Sequence, residues 1–268
     1  MKPFFSVIVP TLNEEHYLPK LLDCLAKQTE KDFETIVVDR YSKDGTKKIV
    51  REYARHQPIR FFEIKAVNVS AQRNYGAKQA QGSYLIFLDA DSQIYRSFIK
   101  KLKKKILQKK GLIFIPHIIP DEKALQFQLV FQFANFLIEN SQNLSKPLSS
   151  GGNLIIEKNF FWLLGGFDEK LYLSEDHNLI QRASNWGVKT KYLKDIKVKF
   201  CLRRLKREGQ LRVLYKYILA TAHLLLKGDV KKKIFDYRMG GEDYQEKFDI
   251  NKSLKQTKTI FKKILAKI

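Results

Sequence analysis

Asp89 and Asp91 stand two residues apart, directly behind the apolar run Tyr84-Leu85-Ile86-Phe87-Leu88. That run is long enough for a strand buried on both faces and too short for a free-standing helix. In an extended segment residues i and i+2 share a face, so both carboxylates can meet one ligand where the strand ends. Open α/β sheets bind their ligands at such strand ends. Two acids there suit a hard divalent cation, which takes oxygen ligands and is commonly shared with a substrate's phosphates. An Asp-rich turn that merely stops a strand would read the same way, so the pair gains meaning from what accompanies it.

Other acids lie at comparable points of the chain. Phe5 to Val9 reads as a first buried strand, ending at Pro10-Thr11-Leu12-Asn13-Glu14, and Leu18, Leu21, Leu22 and Leu25 then repeat at helical spacing. Phe33 to Val38 is a second strand that ends in Asp39, and the loop Ser42-Lys43-Asp44-Gly45-Thr46 has turn chemistry. A helix over 47–55, a strand over 59–64 and a helix over 71–80 lead into the strand before Asp89. This alternation predicts an α/β fold with a mostly parallel sheet and right-handed crossovers. Strands one, two and four all end in acidic or turn residues, so their acids are expected in one site.

Seven motifs carry a family resemblance. They are Pro10-Thr11-Leu12-Asn13-Glu14, Val38-Asp39 with Ser42-Lys43-Asp44-Gly45-Thr46, Arg73-Asn74-Tyr75-Gly76, Asp89-Ala90-Asp91, Gly151-Gly152-Asn153, Gly165-Gly166-Phe167-Asp168-Glu169 and Glu175-Asp176. In this order, over roughly residues 4–200, they resemble glycosyltransferase family 2. The resemblance implies a GT-A fold, with a Rossmann-like central sheet flanked by helices. It implies inverting transfer of one sugar from a nucleoside-diphosphate sugar donor to an acceptor hydroxyl. The donor site would comprise Pro10, Thr11, Glu14, Asp39, Arg73 and Asp89, with Asp39 and Glu14 accepting hydrogen bonds from base or ribose. Asp91 would hold Mg2+ or Mn2+ against the diphosphate, where the cation acts as a Lewis acid. Arg73 offers phosphate a planar fork of donors, the alternative being a solvated helix arginine.

On the acceptor side the resemblance makes Asp176 the general base, a role typically worth about 10²–10⁴-fold in rate. Gly152, Asn153 and Glu175 would face the acceptor. The residues alone also read as a helix start, with Ser174 as N-cap and acids favoured by the helix dipole. His177 is disfavoured as a metal ligand beside Asp176, because neighbouring side chains on a helix diverge. Two departures stand out: Asn178 replaces the acid the family usually carries two residues after the base, and Arg40 follows Asp39. No Gln-x-x-Arg-Trp follows Asp176, which favours single transfer over processive synthesis.

Composition frames the rest. The 268 residues are 44% hydrophobic, enough for a sizeable core. They divide on this reading into a catalytic domain over 1–200, with a nucleotide-sugar half over 1–120 and an acceptor half over 121–200, and a basic, apolar helical extension over 201–268. Two cysteines, Cys24 and Cys201, give neither a disulfide framework nor a metal pattern. The first ten residues do not form a signal peptide, and no uncharged apolar run approaches the ~20 residues of a membrane span. The chain therefore reads as cytoplasmic. A formal net charge of +22 attracts nucleic acid, anionic lipid or phosphorylated substrates. Zinc-finger, helix-turn-helix and RNA-binding aromatic signatures are missing, so no nucleic-acid partner is expected.

Leu125 to Ile138 is apolar nearly all round and is expected mainly to pack in the core. Arg203-Arg204-Leu205-Lys206-Arg207, the apolar stretch over 211–226 and the lysine-rich amphipathic tail over 252–268 suit an anionic membrane surface. Together they suggest an enzyme on the inner face of the cell membrane, acting on a lipid-linked or cell-envelope glycan acceptor. Two other classes fit less well. A nucleotidyltransferase of similar α/β fold opens with a glycine-rich phosphate loop, and Pro10 to Glu14 holds no glycine. A non-catalytic sugar-nucleotide-binding module predicts lost carboxylates, yet Asp39, Asp89, Asp91 and Asp176 all stand.

Overall fold

The computed structural model describes residues 2–209 and Asp229. The first half runs β1 (Phe5–Thr11), α1 (Leu18–Ala26), β2 (Phe33–Asp39), α2 (Thr46–Ala54), β3 (Ile59–Glu63), α3 (Val69–Gln79) and β4 (Tyr84–Phe87). The second half runs β5 (Gln93–Ile94), α4 (Phe98–Lys109), β6 (Ile113–Pro120), α5 (Leu125–Ser141), β7 (Leu154–Glu157), α6 (Lys158–Leu163), α7 (Glu175–Asn185), β8 (Lys191–Phe200) and α8 (Arg203–Glu208). All eight strands form one sheet in the order β3-β2-β1-β4-β7-β6-β8-β5. Strands β3, β2, β1 and β4 run parallel, as do β6 and β8. Antiparallel pairing enters where β7 joins β4 and β6, and where β5 meets β8. The expected mostly parallel α/β sheet is therefore present, with helices on both faces.

Alternation along the central strands explains the two-sided core. Ile8, Leu85 and Phe87 point to one face, where they meet Phe161 and Phe167. Phe5, Val7, Val9 and Ile86 point to the other, against Leu18, Leu21, Leu22 and Leu25 of α1. The Phe87 ring lies 5.4 Å from Phe161 and 4.9 Å, edge to face, from Phe167. That cluster anchors the loop after α6 to the strand that ends in the acids.

Helix α5 corrects one expectation. Phe127, Phe131 and Ile138 are buried against the sheet, whereas Leu125, Leu129, Phe133, Phe136 and Leu137 are 70%, 56%, 62%, 60% and 41% exposed. A helix apolar on all sides can bury only the face turned to the sheet, and nothing among the described residues covers the other. Asn135 is buried in the packed face and serves strand β6: it accepts from the Ile118 N–H at 3.0 Å and donates to the Ile118 carbonyl at 2.7 Å. The Tyr192 hydroxyl donates to the same Asn135 oxygen at 2.8 Å, and the His117 Nδ1–H donates to that hydroxyl at 2.7 Å.

Residues 201–208, read from the sequence as the start of a separate extension, pack on the sheet domain. Leu202 and Leu205 are buried in its core, and the Leu202 N–H donates to Asp121 at 3.3 Å. The stretches over 211–226 and 252–268 lie outside the described residues. No described helix is long and apolar enough to cross a membrane.

Two predictions follow from this packing. Phe87→Ala should lower unfolding stability by about 3–5 kcal/mol, the usual cost of emptying a buried aromatic site, read from the shift in urea midpoint. Burial, then Lys197 and Lys194, hold His117 below its ordinary pKa of 6.5, with Glu139 pulling weakly the other way. The folded state then binds fewer protons than the unfolded chain, so this contribution is complete above the ordinary value and lost as pH falls through the folded one. Urea midpoints measured between about pH 7.5 and about pH 5 should fall more for the wild type than for His117→Gln.

Candidate active site

The loops after β1 and β2 are zipped together by the residues the sequence singled out. The Asn13 N–H donates to Ser42 Oγ at 2.8 Å, and the Lys43 N–H donates back to Asn13 Oδ1 at 2.8 Å. Asp44 accepts from the Glu15 N–H at 3.0 Å, and Glu15 accepts from the Gly45 N–H at 2.6 Å. Thr46 Oγ1 accepts from the Glu14 N–H at 2.8 Å. Asp39 is fully buried and organises this junction. It accepts from Thr11 Oγ1 at 2.8 Å, from Ser42 Oγ at 2.5 Å and from the Ser42 N–H at 2.7 Å. Pro10 is sealed within β1, and Gln72 Nε2 donates to the carbonyls of Thr11 and Val38, both at 2.8 Å. The net effect is a rigid mount for Glu14.

Asp89 and Asp91 sit on a turn, not on an extended strand. Strand β4 stops at Phe87, and the Ser92 N–H returns to the Asp89 carbonyl at 2.9 Å. The shared face expected from i, i+2 spacing is therefore replaced by two separate arginine contacts. Arg73 Nη2 donates to Asp89 at 2.7 Å and Arg73 Nη1 to Glu175 at 2.5 Å. Arg203 Nε meets Asp91 at 3.0 Å, while its two terminal nitrogens donate to the two Glu14 oxygens, each at 2.8 Å. Arg73 is 3% exposed, which corrects the solvated-helix alternative. Its Nε has no hydrogen-bond partner among the described residues, and its guanidinium lies 5.5 Å from the Phe167 ring centre.

The acceptor-side residues approach the same place. Asp176 is 4% exposed and accepts from the neighbouring N–H groups of Gly151 at 3.0 Å and Gly152 at 3.2 Å. The His177 Nδ1–H donates to its other oxygen at 3.1 Å, so neighbouring helix residues do meet here. Burial would raise the Asp176 carboxyl, but His177, the Ser149 hydroxyl and Arg73 outweigh it and hold the group far below the usual carboxylate range. His177 is shifted upward, since Asp176 and Glu175 overcome the effect of burial. Glu175 is raised by burial and by Asp176, against the pull of Arg73.

Gly152 shows why glycine stands where it does: its φ is +81°, and a Cβ would collide with Arg73 and come within 3.0 Å of both Asp89 oxygens. Asn153 is fully buried and meets Ser92 Oγ at 3.2 Å, which ties the Gly-Gly loop to the acid turn. Asn74 latches the Phe167 loop, accepting from the Phe167 N–H at 2.9 Å and donating to its carbonyl at 2.9 Å. Ser174 departs from its expected role. It is left-handed at φ +65° and makes no side-chain capping bond, so its strain fixes the entry of α7 instead.

Three participants escaped the sequence reading. Arg203 was read only as part of a basic surface cluster. Asp229 accepts twice from Asn178 at 3.0 Å, placing a carboxylate beside the position where Asn178 departs from the family pattern. Ser149 appears only as a neighbour of Asp176. No short-range pattern links residue 203 to residue 14, or residue 229 to residue 178.

The charge balance bears on a cation. Glu14 is raised to about 7 by burial first, with Arg203 opposing and Asp91 and Asp89 adding to the rise. Asp91 is also raised, by burial against Arg203, with Asp89 adding. Hard oxygen donors crowded with surplus negative charge fit Mg2+ or Mn2+. Among the described residues no group of three or more His, Cys, Asp or Glu side chains forms a metal cage. A cation here would therefore rely on few carboxylates and complete its shell on phosphates and water, as Mg2+ commonly does.

The family described as glycosyl transferase family 2 matches residues 6–165. The glycosyltransferase GlyA of Streptococcus pneumoniae is 36% identical over 104 residues, 38% of this chain and 15% of GlyA. TarS of Staphylococcus aureus, a poly(ribitol-phosphate) beta-N-acetylglucosaminyltransferase, is 39% identical over 100 residues, 36% of this chain and 18% of TarS. The chain thus spans less than a fifth of the length of these two relatives. The mannosyltransferase PcManGT of Pyrobaculum calidifontis, solved with GDP-Man and Mn2+, superposes with a TM-score of 0.66 at 20% identity, over 83% of this chain and 65% of that one. That likeness establishes the fold as GT-A. With the family match extending from β1 past α6, over more than half its length, the chain belongs to glycosyl transferase family 2.

Proposed function

We propose that this chain transfers one sugar, with inversion, from a nucleoside-diphosphate sugar to an acceptor hydroxyl. The observation that carries the reading is the buried Arg73 guanidinium, which joins Asp89 at the end of β4 to Glu175 beside Asp176. That arginine ties a donor-side acid to an acceptor-side one, which supports a shared site. The acceptor oxygen attacks the anomeric carbon from the face opposite the diphosphate, the carbon–diphosphate bond breaks with its electron pair on oxygen, and Asp176 takes the hydroxyl proton. The Gly151 and Gly152 N–H groups aim that carboxylate and keep it ionised. Glu175, pinned by Arg73, orients the acceptor with Gly152 and Asn153. Pro10, Thr11, Asp39 and Glu14 frame the nucleoside end of the donor, and Arg73 and Asp89 border its ribose and phosphates. A Mg2+ or Mn2+ ion held by Asp91, with Asp89 beside it, would neutralise charge on the departing diphosphate. PcManGT, solved with Mn2+, makes that ion the natural first choice in an assay.

The acceptor is lipid-linked on this reading, and the protein rests on an anionic membrane surface. TarS, named for a cell-envelope polymer, supports an envelope acceptor. The tail first assigned to the membrane lies outside the described residues, and the exposed face of α5 supplies a second contact. Its Leu129, Phe133, Phe136 and Leu137 stand exposed along one side, on a chain of net charge +22.

Incubation with a panel of nucleoside-diphosphate sugars, acceptor and Mn2+ should release nucleoside diphosphate. Asp176→Asn should lower that release by about 10²–10⁴-fold while donor affinity is retained. A wild type silent with every donor would sink the reading. Wild-type protein should co-sediment with anionic vesicles more than with neutral ones, and Phe133→Asp combined with Phe136→Asp should reduce that fraction severalfold. Unchanged partition in the double variant would remove α5 as a membrane contact.

A further inference from the structure

Arg203 is the least expected member of the site, and its contacts are those of a guest in a cation's place. The residue opens α8, and Leu202 before it is 1% exposed and bonded to Asp121. Its side chain reaches back across the pocket to residue 14. The planar fork fits the Glu14 carboxylate with two bonds of 2.8 Å, and Nε meets Asp91 Oδ2 at 3.0 Å. The guanidinium stacks on the Tyr17 ring at 4.3 Å from its centre, and the side chain remains 20% exposed. Asp91 is the carboxylate assigned above to the divalent cation. Two positive groups on one carboxylate repel each other, so a cation bound at Asp91 would weaken this arginine contact.

The displaced guanidinium would not lack an anion. A nucleoside diphosphate bound beside Asp89 and Asp91 puts phosphate oxygens within the same pocket, and a planar five-donor fork suits phosphate as well as carboxylate. Exposure on one side and a flat aromatic support leave the side chain a surface along which to move. We propose that Arg203 is a displaceable cation: it holds Asp91 through Nε and passes to the donor's diphosphate when a divalent cation takes Asp91. This rests on the sugar-nucleotide reading, since it needs a diphosphate to receive the guanidinium.

The test uses the full chain and separates the two halves of the exchange. Mn2+ alone, without nucleotide, is titrated and the free ion followed by electron paramagnetic resonance. Arg203→Met should bind Mn2+ roughly tenfold tighter than wild type, the scale of one lost charge-assisted contact. UDP, GDP and dTDP are titrated separately by calorimetry at saturating Mn2+, where Arg203→Met should bind about tenfold more weakly. Arg203→Lys keeps the charge and should hold both affinities nearer wild type. Because Glu14 loses its partner in Arg203→Met, the pair Glu14→Gln and Glu14→Gln/Arg203→Met repeats the Mn2+ comparison without an uncompensated acid. Equal Mn2+ affinity with and without Arg203 in both backgrounds, or equal nucleotide affinity at saturating Mn2+, would overturn the exchange alone. Failure of the wild type to bind any of the three nucleotides, even with Mn2+, would overturn the sugar-nucleotide reading together with it.

Discussion

Burying a guanidinium is expensive unless its partners are well placed, because each charge taken out of water costs several kcal/mol. Arg73 meets that demand with two carboxylates and an aromatic face, and much of the site follows from it. Gly152 has to lack a side chain, since a Cβ would enter the guanidinium's space. Phe167 has to be held in place, which Asn74 does through both backbone atoms of that residue. Helix α3 has to start where it does, and Asn68 caps it by accepting from the Ala71 N–H at 3.0 Å while donating to the Glu169 carbonyl at 2.7 Å. Arg73, Asn74 and the Gly-Gly-Phe-Asp-Glu loop are thus one mechanical unit, although about ninety residues of sequence separate them.

The unpaired Nε of Arg73 and the left-handed Ser174 show where the fold tolerates local cost. Backbone strain of this kind is worth about 1–3 kcal/mol and persists only where surrounding contacts over-determine it. Ser174 stands directly before Glu175 and Asp176, and Asn13 and Tyr41, also at positive φ, stand in the two loops that mount Glu14. Three of the four described non-glycine positions at positive φ therefore lie in loops that carry these carboxylates, and the fourth, Lys110, ends α4.

Much of this was legible in the chain. The parallel half could be read from apolar runs alternating with helical leucine spacing, because each element there is local and repeats with one period. The motifs named Arg73, Asp89 and Glu175, which the structure joins through one guanidinium, and Glu14 and Asp91, which it joins through another. What stayed hidden depended on tertiary closure. Helix α5 is equally apolar on both sides, so periodicity could not say which side meets the sheet. The turn at Asp89 and the strained entry at Ser174 answer to contacts from distant segments, where local propensity has no vote. Arg203 belonged by composition to a basic surface cluster, and only the parallel pairing of β6 with β8 brings it over Glu14.

The site also shows how one residue type is given several behaviours by its surroundings. Asp176 receives two N–H donors and an imidazole, and its carboxyl stays ionised. Burial lifts the carboxyls of Glu14 and Asp91, with nearby acids adding and Arg203 opposing. The first environment keeps a proton acceptor charged before the acceptor hydroxyl arrives, at the cost of some basicity. A cation seat needs the second, because carboxylates that repel one another gain most when a cation enters between them. The same polypeptide produces both by choosing what faces each acid: backbone N–H groups from a glycine pair on one side, and burial beside other carboxylates with an arginine on the other.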